Sequence, residues 1–245
     1  MARAAVILAA GLGSRLAVVG GGREEYSKPL MTVGGQTLLE RTVGCCRAAG
    51  IERILVVTGF RAELVEAEVK RLDRGDLEAV RNPEWQKANG LSLWVCRALL
   101  REPFALMMSD HLFDPTILAD MAAAQAPEGS VTLAVDSKVD SIFDLDDATK
   151  VQVEGGRIVA IGKQLERYNA IDCGLFLCTP AIFEALEEAR AANKGDCSLS
   201  QGMQIIGSRG RFLPFDIGAR WWQDVDTPEM LAHATAMLAQ IEMGR

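Results

Sequence analysis

Two basic residues and a glycine-containing turn near the N-terminus have the chemistry needed to bind phosphate. An apolar run leads into Gly11 and Gly13, and such a turn exposes backbone N–H groups that can hold a phosphate. Arg15 follows directly, and Lys28 comes after a second glycine stretch at 20–22. We expect this loop to close on a triphosphate, with Arg15 on the outer phosphates and Lys28 on the α-phosphate, where charge builds during transfer. An ordinary strand-to-helix turn is the alternative.

Two other nucleotide-binding signatures are absent from the sequence. The dinucleotide fingerprint needs a third glycine, but Leu16 stands in its place, and Thr58-Gly59 ends the second predicted strand without an acidic residue. No G-x-x-x-x-G-K-[ST] phosphate loop occurs. These absences disfavour a nicotinamide oxidoreductase, which is one alternative class.

An aspartate at the end of a predicted strand is a candidate metal ligand. Asp110 follows an apolar run at 104–109, and open parallel sheets bind ligands at the carboxyl ends of their strands. Magnesium prefers a few carboxylates together with substrate phosphates and retained waters, so we expect Mg²⁺ as the cofactor. Capping of the following helix is the alternative role for Asp110.

The order of these motifs resembles the sugar-phosphate nucleotidyltransferase family. Its L-A-A-G-x-G-x-R…K-P opening is found here as residues 8–15 followed by Lys28-Pro29, although Ser27 stands where the family commonly has proline. Asn89-Gly90-Leu91-Ser92 is similar to its nucleobase segment, and residues 222–227 are similar to its W-x-D-x-x-T segment. The resemblance extends from Ala4 to about Leu231, in the expected order.

This resemblance implies a role for each matched position. It assigns nucleotide binding to Leu8, Ala9, Ala10, Gly11, Gly13, Asn89, Gly90 and Ser92. It assigns catalysis to Arg15, Lys28 and Lys163, and Lys163 matches the lysine that holds the acceptor's phosphate. The second metal-binding carboxylate is Asp224 when the segments are aligned on Trp222, while Asp226 either binds metal or caps the last helix. A solvated hairpin lysine is the alternative for Lys163.

Within the family, several segments are most similar to the CTP:inositol-1-phosphate cytidylyltransferases. These segments are 89–93, 109–111, 147–151, 161–163, 169–172 and 224–228. The implied reaction joins CTP to a phosphorylated alcohol, inositol 1-phosphate, and gives CDP-inositol and pyrophosphate. The product is expected to pass to a separate membrane synthase, since no transmembrane segment occurs in this sequence. Phosphocholine and aminoethylphosphonate cytidylyltransferases, other sugar-1-phosphate nucleotidyltransferases and a catalytically silent nucleotide sensor remain alternatives.

The acceptor is the least determined part of this hypothesis. A quaternary ammonium prefers an aromatic cage, and only 6% of the residues are aromatic. A polyol needs converging hydrogen-bond partners, which favours inositol phosphate. For the acceptor site we select His111, Asp136, Lys150 and Asp172, with Asn169 as a further polar candidate.

The elements that must position these residues are those of an α/β protein. Strand-like runs at 4–9, 53–58, 77–81, 104–109 and 130–135 alternate with amphipathic helices near 37–49, 61–73 and 91–100, which predicts a Rossmann-like, mainly parallel sheet flanked by helices. A hairpin at 150–161 with a Gly155-Gly156 turn predicts a small antiparallel extension, followed by a strand at 170–178 and helices after Pro180 and Pro228. We expect one domain, with a nucleotide-binding half to about 135 and an acceptor-binding half at 136–245.

Composition limits the function further. A net charge of −7 argues against binding to a nucleic-acid backbone, which needs clustered Lys and Arg. The six cysteines show no paired C-x-x-C spacing and no secretory context, so we expect reduced thiols and a cytoplasmic location. The apolar run at 4–10 is too short to span a bilayer, which predicts a protein that is not embedded in the membrane. The oligomeric state is not predicted.

Overall fold

The computed structural model describes residues 1–16 and 26–243, without the side chain of Glu242, so the glycines at 20–22 lie outside the described residues. The strands are β1 (Ala4–Ala9), β2 (Thr32–Val33), β3 (Gln36–Thr37), β4 (Arg53–Thr58), β5 (Leu77–Arg81), β6 (Phe104–Met108), β7 (His111–Phe113), β8 (Val131–Asp136), β9 (Lys150–Glu154), β10 (Arg157–Gly162), β11 (Ala170–Cys178), β12 (Phe212–Asp216) and β13 (Trp222–Asp224). The helices are α1 (Leu38–Ala48), α2 (Ala62–Leu72), α3 (Gly90–Trp94), α4 (Pro115–Ala123), α5 (Ala181–Ala192), α6 (Leu199–Ser208) and α7 (Pro228–Met243).

A mixed sheet of nine strands lies at the centre of the part of the chain that the structure describes. Its path is β10-β9-β11-β6-β1-β4-β5, and β8 pairs with both β11 and β12. The strands β6, β1, β4 and β5 are parallel, whereas β11 runs antiparallel to β6, β8 and β9. The predicted α/β class, with a mainly parallel sheet and a small antiparallel extension, is confirmed.

Helices cover both faces of this sheet because the strands are apolar on both sides. Along β1, Val6 and Leu8 belong to the core cluster beneath α3, α5 and α6, while Ala5 and Ile7 belong to the cluster beneath α1, α2 and α4. Successive side chains of a strand point to opposite faces, so a continuous apolar run is what a doubly covered sheet requires.

Most predicted elements of the first half have the predicted bounds, but one helix is shorter. The run predicted as helical at 91–100 is a helix only as far as Trp94. Beyond it the backbone makes tight i to i+3 contacts, from Cys96 N to Leu93 O and from Leu99 N to Cys96 O, in place of the i to i+4 bonds of an α-helix. The prediction also missed α6 and β12.

A two-stranded antiparallel pair, β7 with β13, brings distant acidic residues together. Asp224 lies opposite His111 in this pair, and Val225 N donates to Asp110 O at 2.9 Å. The helix α7 continues from this pair, and its Ala234 and Leu238 pack in a third core cluster. No helix within residues 1–16 and 26–243 combines the length and apolar character that crossing a membrane requires.

Candidate active site

Two adjoining cavities lie at the carboxyl ends of β1 and β6. The first, which we call the Lys28 cavity, has a volume of about 290 Å³, and the second, the Lys163 cavity, about 170 Å³. The two cavities share Asn89, Met108 and Asp226 as lining residues. Two ligands, one in each cavity, would therefore meet at this shared wall.

The Lys28 cavity is lined by most of the residues predicted to bind the nucleotide. Ala9 is an exception, because it is buried on the other face of β1. Gly90 is another exception. A Cβ there would lie 2.6 Å from Cys197 O, so the absence of a side chain lets the start of α3 pack against the backbone that precedes α6. The predicted residues that do line the cavity are Leu8, Ala10, Gly11, Gly13, Lys28, Asn89, Ser92 and Asp110.

Lys28 lies at the base of its cavity with only 7% of its side chain exposed. It begins a single 3₁₀ turn with Pro29 and Leu30, and its Nζ donates to the carboxylates of Asp110 and Asp226. Burial lowers the pKa of Lys28, but the two carboxylates outweigh burial, so its pKa stands above the ordinary value. Gly13 has a φ of +59°, and a Cβ there would lie 2.7 Å from the Lys28 side chain. Glycine is thus required at 13 for two separate reasons.

The segment predicted to contact the base is held in place by polar contacts. Asn89 Oδ1 accepts from Leu199 N at 3.0 Å, at the start of α6. Ser92 Oγ accepts from Asn82 Nδ2 at 3.0 Å, and both of these side chains are buried. The shared wall of the two cavities is therefore tied to the first turn of α6, where Leu199 and Ser200 line the Lys163 cavity.

Alternating cations and carboxylates connect the two cavities. Lys163 Nζ lies 2.8 Å from Asp147 Oδ1, and the other oxygen of Asp147 lies 2.6 Å from Arg15 Nη1. Arg15 Nη2 lies 2.8 Å from Asp226 Oδ2, and the other Asp226 oxygen accepts from Lys28. The complete series, which we call the ionic chain, is Lys163, Asp147, Arg15, Asp226, Lys28, Asp110 and His111. The three predicted catalytic cations thus lie in one continuous network.

His111 joins the ionic chain to the Lys163 cavity. Its Nδ1 lies 2.8 Å from Asp110 Oδ1, and its ring stacks on Trp222 with centroids 5.9 Å apart. Burial lowers the pKa of His111, but the hydrogen bond and charge of Asp110 more than offset this, so the pKa is raised. Gly174, at φ +73°, leaves room for the ring, because a Cβ there would lie 2.5 Å from it. Asp136 Oδ2 accepts from Trp222 Nε1 at 3.0 Å and so orients the stacked partner.

The carboxyl groups of the site differ in their proton affinity. Burial raises the pKa of Asp110, but Lys28 and His111 oppose it more strongly, so the pKa falls far below its usual range. Burial raises the pKa of Asp172 to about 6, although the Gly174 N–H bond opposes this. Asp224 also has a raised pKa, chiefly through burial and further through the charges of Asp226 and Asp110. Lys28 and His111 therefore favour the ionised form of Asp110, whereas burial favours the protonated forms of Asp172 and Asp224.

The four residues predicted to bind the acceptor divide into two groups. His111 and Asp172 line the Lys163 cavity, together with Lys163, Asp224 and Asp226. Asp136 instead lines a neighbouring cavity and binds Lys138 and Trp222. Lys150 Nζ donates to the backbone oxygens of Leu145 and Lys163. Asn169, the further candidate, pairs through its side chain with the backbone of Val153.

Asp147 and Trp222 line the candidate site but were not among the residues selected from the sequence for catalysis or binding. Both line the Lys163 cavity. Asp147 is part of a segment that resembles the cytidylyltransferases, and Trp222 is the tryptophan of the W-x-D-x-x-T match, so position within these motifs was the available signal. Their contacts with Arg15 and His111 join segments far apart in the chain, and spacing alone does not show such contacts.

Comparison with known proteins gives the family. The model of the MobA-like NTP transferase domain matches residues 5–205. The chain belongs to this family. The fold is therefore that of a nucleotidyltransferase. The prediction of this enzyme class is confirmed.

Individual MobA-like relatives match nearly the whole chain. This chain is 38% identical to the "Bifunctional IPC transferase and DIPP synthase" of Rubrobacter xylanophilus over 236 residues, which is 96% of the chain. It is 34% identical to the protein of the same name in Aquifex aeolicus over 241 residues, which is 98% of the chain. The chain spans about half the length of these relatives, 51% and 53%. The solved inositol-1-phosphate CTP transferase from T. maritima matches with a TM-score of 0.80 and 28% identity, over 95% of this chain and 96% of that one.

Proposed function

We propose that this chain is a cytidylyltransferase that converts CTP and 1L-myo-inositol 1-phosphate into CDP-inositol and pyrophosphate. The observation that carries the proposal is the pair of adjoining cavities, with the ionic chain running between Lys28 and Lys163. The names of the relatives and of the T. maritima transferase support the choice of base and acceptor.

In the proposed reaction, CTP occupies the Lys28 cavity and the acceptor occupies the Lys163 cavity. An anionic oxygen of the acceptor phosphate attacks the α-phosphorus, and the bond from that phosphorus to the bridging α,β oxygen breaks. Pyrophosphate leaves with the bond's electron pair. No enzyme nucleophile is needed, so the residues act by holding two mutually repelling anions in line. Arg15 and Lys28 offset the triphosphate charge, and Lys163 offsets that of the acceptor phosphate.

A divalent cation is part of the proposal, and the carboxylates fit one that is completed by substrate. Within residues 1–16 and 26–243, no three or more His, Cys, Asp or Glu side chains are arranged to hold a metal by themselves. Asp110 and Asp226 nevertheless line the Lys28 cavity, and Asp224 lines the adjoining Lys163 cavity together with Asp226, so three carboxylates border the two cavities. Mg²⁺ commonly uses one or two carboxylates plus substrate phosphates, and when bound it would neutralise charge on the phosphates.

Asp110 gives the most direct test of the metal. We expect Asp110→Asn to abolish metal-dependent turnover, measured as pyrophosphate release across a titration of Mg²⁺ after treatment with a chelator. Asp196→Asn is a suitable control, because Asp196 caps backbone N–H groups of Ala88 and Cys197 outside the ionic chain. An unchanged magnesium dependence in Asp110→Asn would remove Asp110 from the ligand set.

An ammonium-bearing acceptor is the second candidate, and one observation favours it. The Lys163 cavity contains the carboxylates of Asp147, Asp172, Asp224 and Asp226 beside Trp222. Carboxylates and an aromatic face suit an amino or quaternary ammonium group. The same carboxylates accept hydrogen bonds from the hydroxyls of a polyol, so the relatives favour inositol phosphate.

A single matrix of assays tests the proposal. Pyrophosphate release is measured with Mg²⁺, each of the four common ribonucleoside triphosphates, and inositol 1-phosphate, phosphocholine, aminoethylphosphonate or glucose 1-phosphate. We expect a signal with CTP and inositol 1-phosphate. Activity with another pair would keep the enzyme class and change the substrate, whereas CTP binding without any pyrophosphate release would favour a nucleotide sensor. Transfer of the product to a separate membrane synthase remains a prediction.

A further inference from the structure

Asp147 occupies a position that no other described carboxylate shares, because it contacts a predicted cation from each substrate site. Its Oδ2 lies 2.6 Å from Arg15, which is expected to bind the triphosphate. Its Oδ1 lies 2.8 Å from Lys163, which is expected to bind the acceptor phosphate. The Asp147 carboxylate thus binds both cations at the position where each is expected to bind a substrate phosphate.

The charge of Asp147 is maintained by this geometry. Burial raises its pKa, but the bonds from Lys163 and Arg15 outweigh burial, and the pKa is lowered overall. The side chains of Arg15 and Lys163 are 47% and 50% exposed, and that of Asp147 is 29% exposed. Ion pairs this exposed are individually weak, so a substrate phosphate can displace either one.

The segment that carries Asp147 is anchored by contacts at its two ends and in its middle. It connects β8 to β9, and Phe143 in its middle stacks on His233 of α7 with centroids 4.3 Å apart. At its end, Lys150 Nζ donates to Leu145 O at 3.0 Å and to Lys163 O at 3.2 Å. The two ion pairs of Asp147 therefore tie this segment to Arg15 on one side and to Lys163 on the other.

We propose that Asp147 is a positioning residue that couples the two substrate sites. Because both pairs end on the same carboxylate, the first substrate phosphate to bind moves Asp147 away from both cations, and the second substrate then finds its cation already released. The converse holds when the acceptor binds first, because coupling between two sites is reciprocal. Each substrate therefore increases the affinity for the other. This inference rests on the proposed function, since it requires that Arg15 and Lys163 serve different substrates.

The coupling is measured by equilibrium binding without turnover. An α,β-methylene analogue of CTP, which cannot release pyrophosphate, is titrated into the protein by calorimetry with Mg²⁺, with and without saturating inositol 1-phosphate. For the wild type we expect inositol 1-phosphate to tighten analogue binding by about two- to five-fold, the range that exposed ion pairs support. For Asp147→Asn we expect tighter binding of the analogue alone and no further effect of inositol 1-phosphate.

Two further variants separate coupling from a general change in charge. Asp146→Asn removes the same charge from the adjacent, exposed residue, and its coupling should equal that of the wild type. Asp147→Glu keeps a carboxylate and should restore part of the coupling. Thermal unfolding of all variants shows whether the fold is retained.

Each outcome decides a different question. Equal coupling in wild type and Asp147→Asn, or an effect of Asp146→Asn as large as that of Asp147→Asn, would overturn the role of Asp147 while leaving the proposed function in place. A wild type that does not bind the analogue and releases no pyrophosphate from CTP would overturn the proposed function and the coupling together.

Discussion

The two cavities hold their lysines in opposite ways. Lys28 is buried and clamped by two carboxylates, whereas Lys163 is half exposed and pairs with one. The Lys28 cavity is formed largely by the ends of parallel strands and the turn after β1. The Lys163 cavity combines β11, the hairpin of β9 and β10, α6 and β13.

This difference separates the chemical step from the choice of acceptor. A fixed, water-poor cation stabilises developing charge more strongly than a mobile one, which suits the reacting phosphate. A half-exposed lysine is surrounded by more solvent, so its attraction to a phosphate is more strongly screened and its side chain is less fixed in position. We therefore expect substitutions in the first cavity to change turnover and substitutions in the second to change acceptor binding.

The largest effect should follow from Lys28→Ala. We expect kcat to fall by about 10²- to 10³-fold, because a preorganised donor to the reacting phosphate is lost. The measurement is initial-rate pyrophosphate release, with circular dichroism to check the fold. Lys70→Ala, on the exposed face of α2, serves as the control. A near-normal kcat in Lys28→Ala would contradict the expectation that substitutions in the Lys28 cavity change turnover.

A different kinetic parameter should change in Lys163→Ala. We expect the KM for the acceptor to rise by roughly ten- to a hundred-fold, the value of one or two charge-assisted hydrogen bonds, while the KM for CTP changes much less. Varying each substrate at saturating levels of the other separates the two constants. An equal rise in both KM values would show that Lys163 does not distinguish the two substrates.

The orientation of the aromatic wall can be tested with Trp222→Phe. This change keeps a ring beside His111 but removes the Nε1 donor to Asp136, whose carboxylate is buried. We expect a loss of about 1–2 kcal/mol of unfolding free energy, measured by urea denaturation, and a rise of a few-fold in the acceptor KM. Trp94→Phe is the matched control, because Trp94 Nε1 has no hydrogen-bond partner among the described residues.

The smallest effect concerns pH and Asp172. Its folded-state pKa is raised to about 6, so the stability contributed by the neutral form is complete below the ordinary aspartate pKa and is lost as the pH rises through about 6. Asp172→Asn stays neutral at every pH. Its unfolding free energy relative to wild type should therefore increase by about 1 kcal/mol between pH 5 and pH 7.5. A difference that is independent of pH would contradict the raised pKa of Asp172.

The sequence predicted the framework, and the structure brings together more of the predicted nucleotide-site residues than of the predicted acceptor-site residues. The strand-end rule correctly placed Asp110 beside the glycine turn, and the pattern located β1, β4, β5 and β11 to the residue. The strand register explains why Asp136 does not line the Lys163 cavity. Cross-strand partners share a face, and Asp136 lies opposite Ile171 while Asp172 lies opposite Val135, so the two carboxylates point to opposite faces.

Other parts of the site depend on contacts that no local pattern reveals. The strands β7 and β13 have three residues each and exist only because segments far apart in the chain pair with each other. The helix α6 contains Gly202 and Gly207, which weaken a helical pattern, although its Ser198 and Gln201 form a capping box that was visible in the sequence. The pairing of Asp147 with Arg15 likewise required the fold.

The pairing of β11 with β6 fixes the distance between the two cavities. The strand β11 is hydrogen-bonded to β6, which is in turn hydrogen-bonded to β1, and these three strands carry residues of both cavities. Adjacent strands keep a spacing of about 4.8 Å, so the separation between the cavities is built into the sheet and cannot change by a hinge between them. If the proposed function holds, the distance between the two substrate sites is set by the sheet, and an acceptor can react only if its phosphate reaches the α-phosphate across that distance.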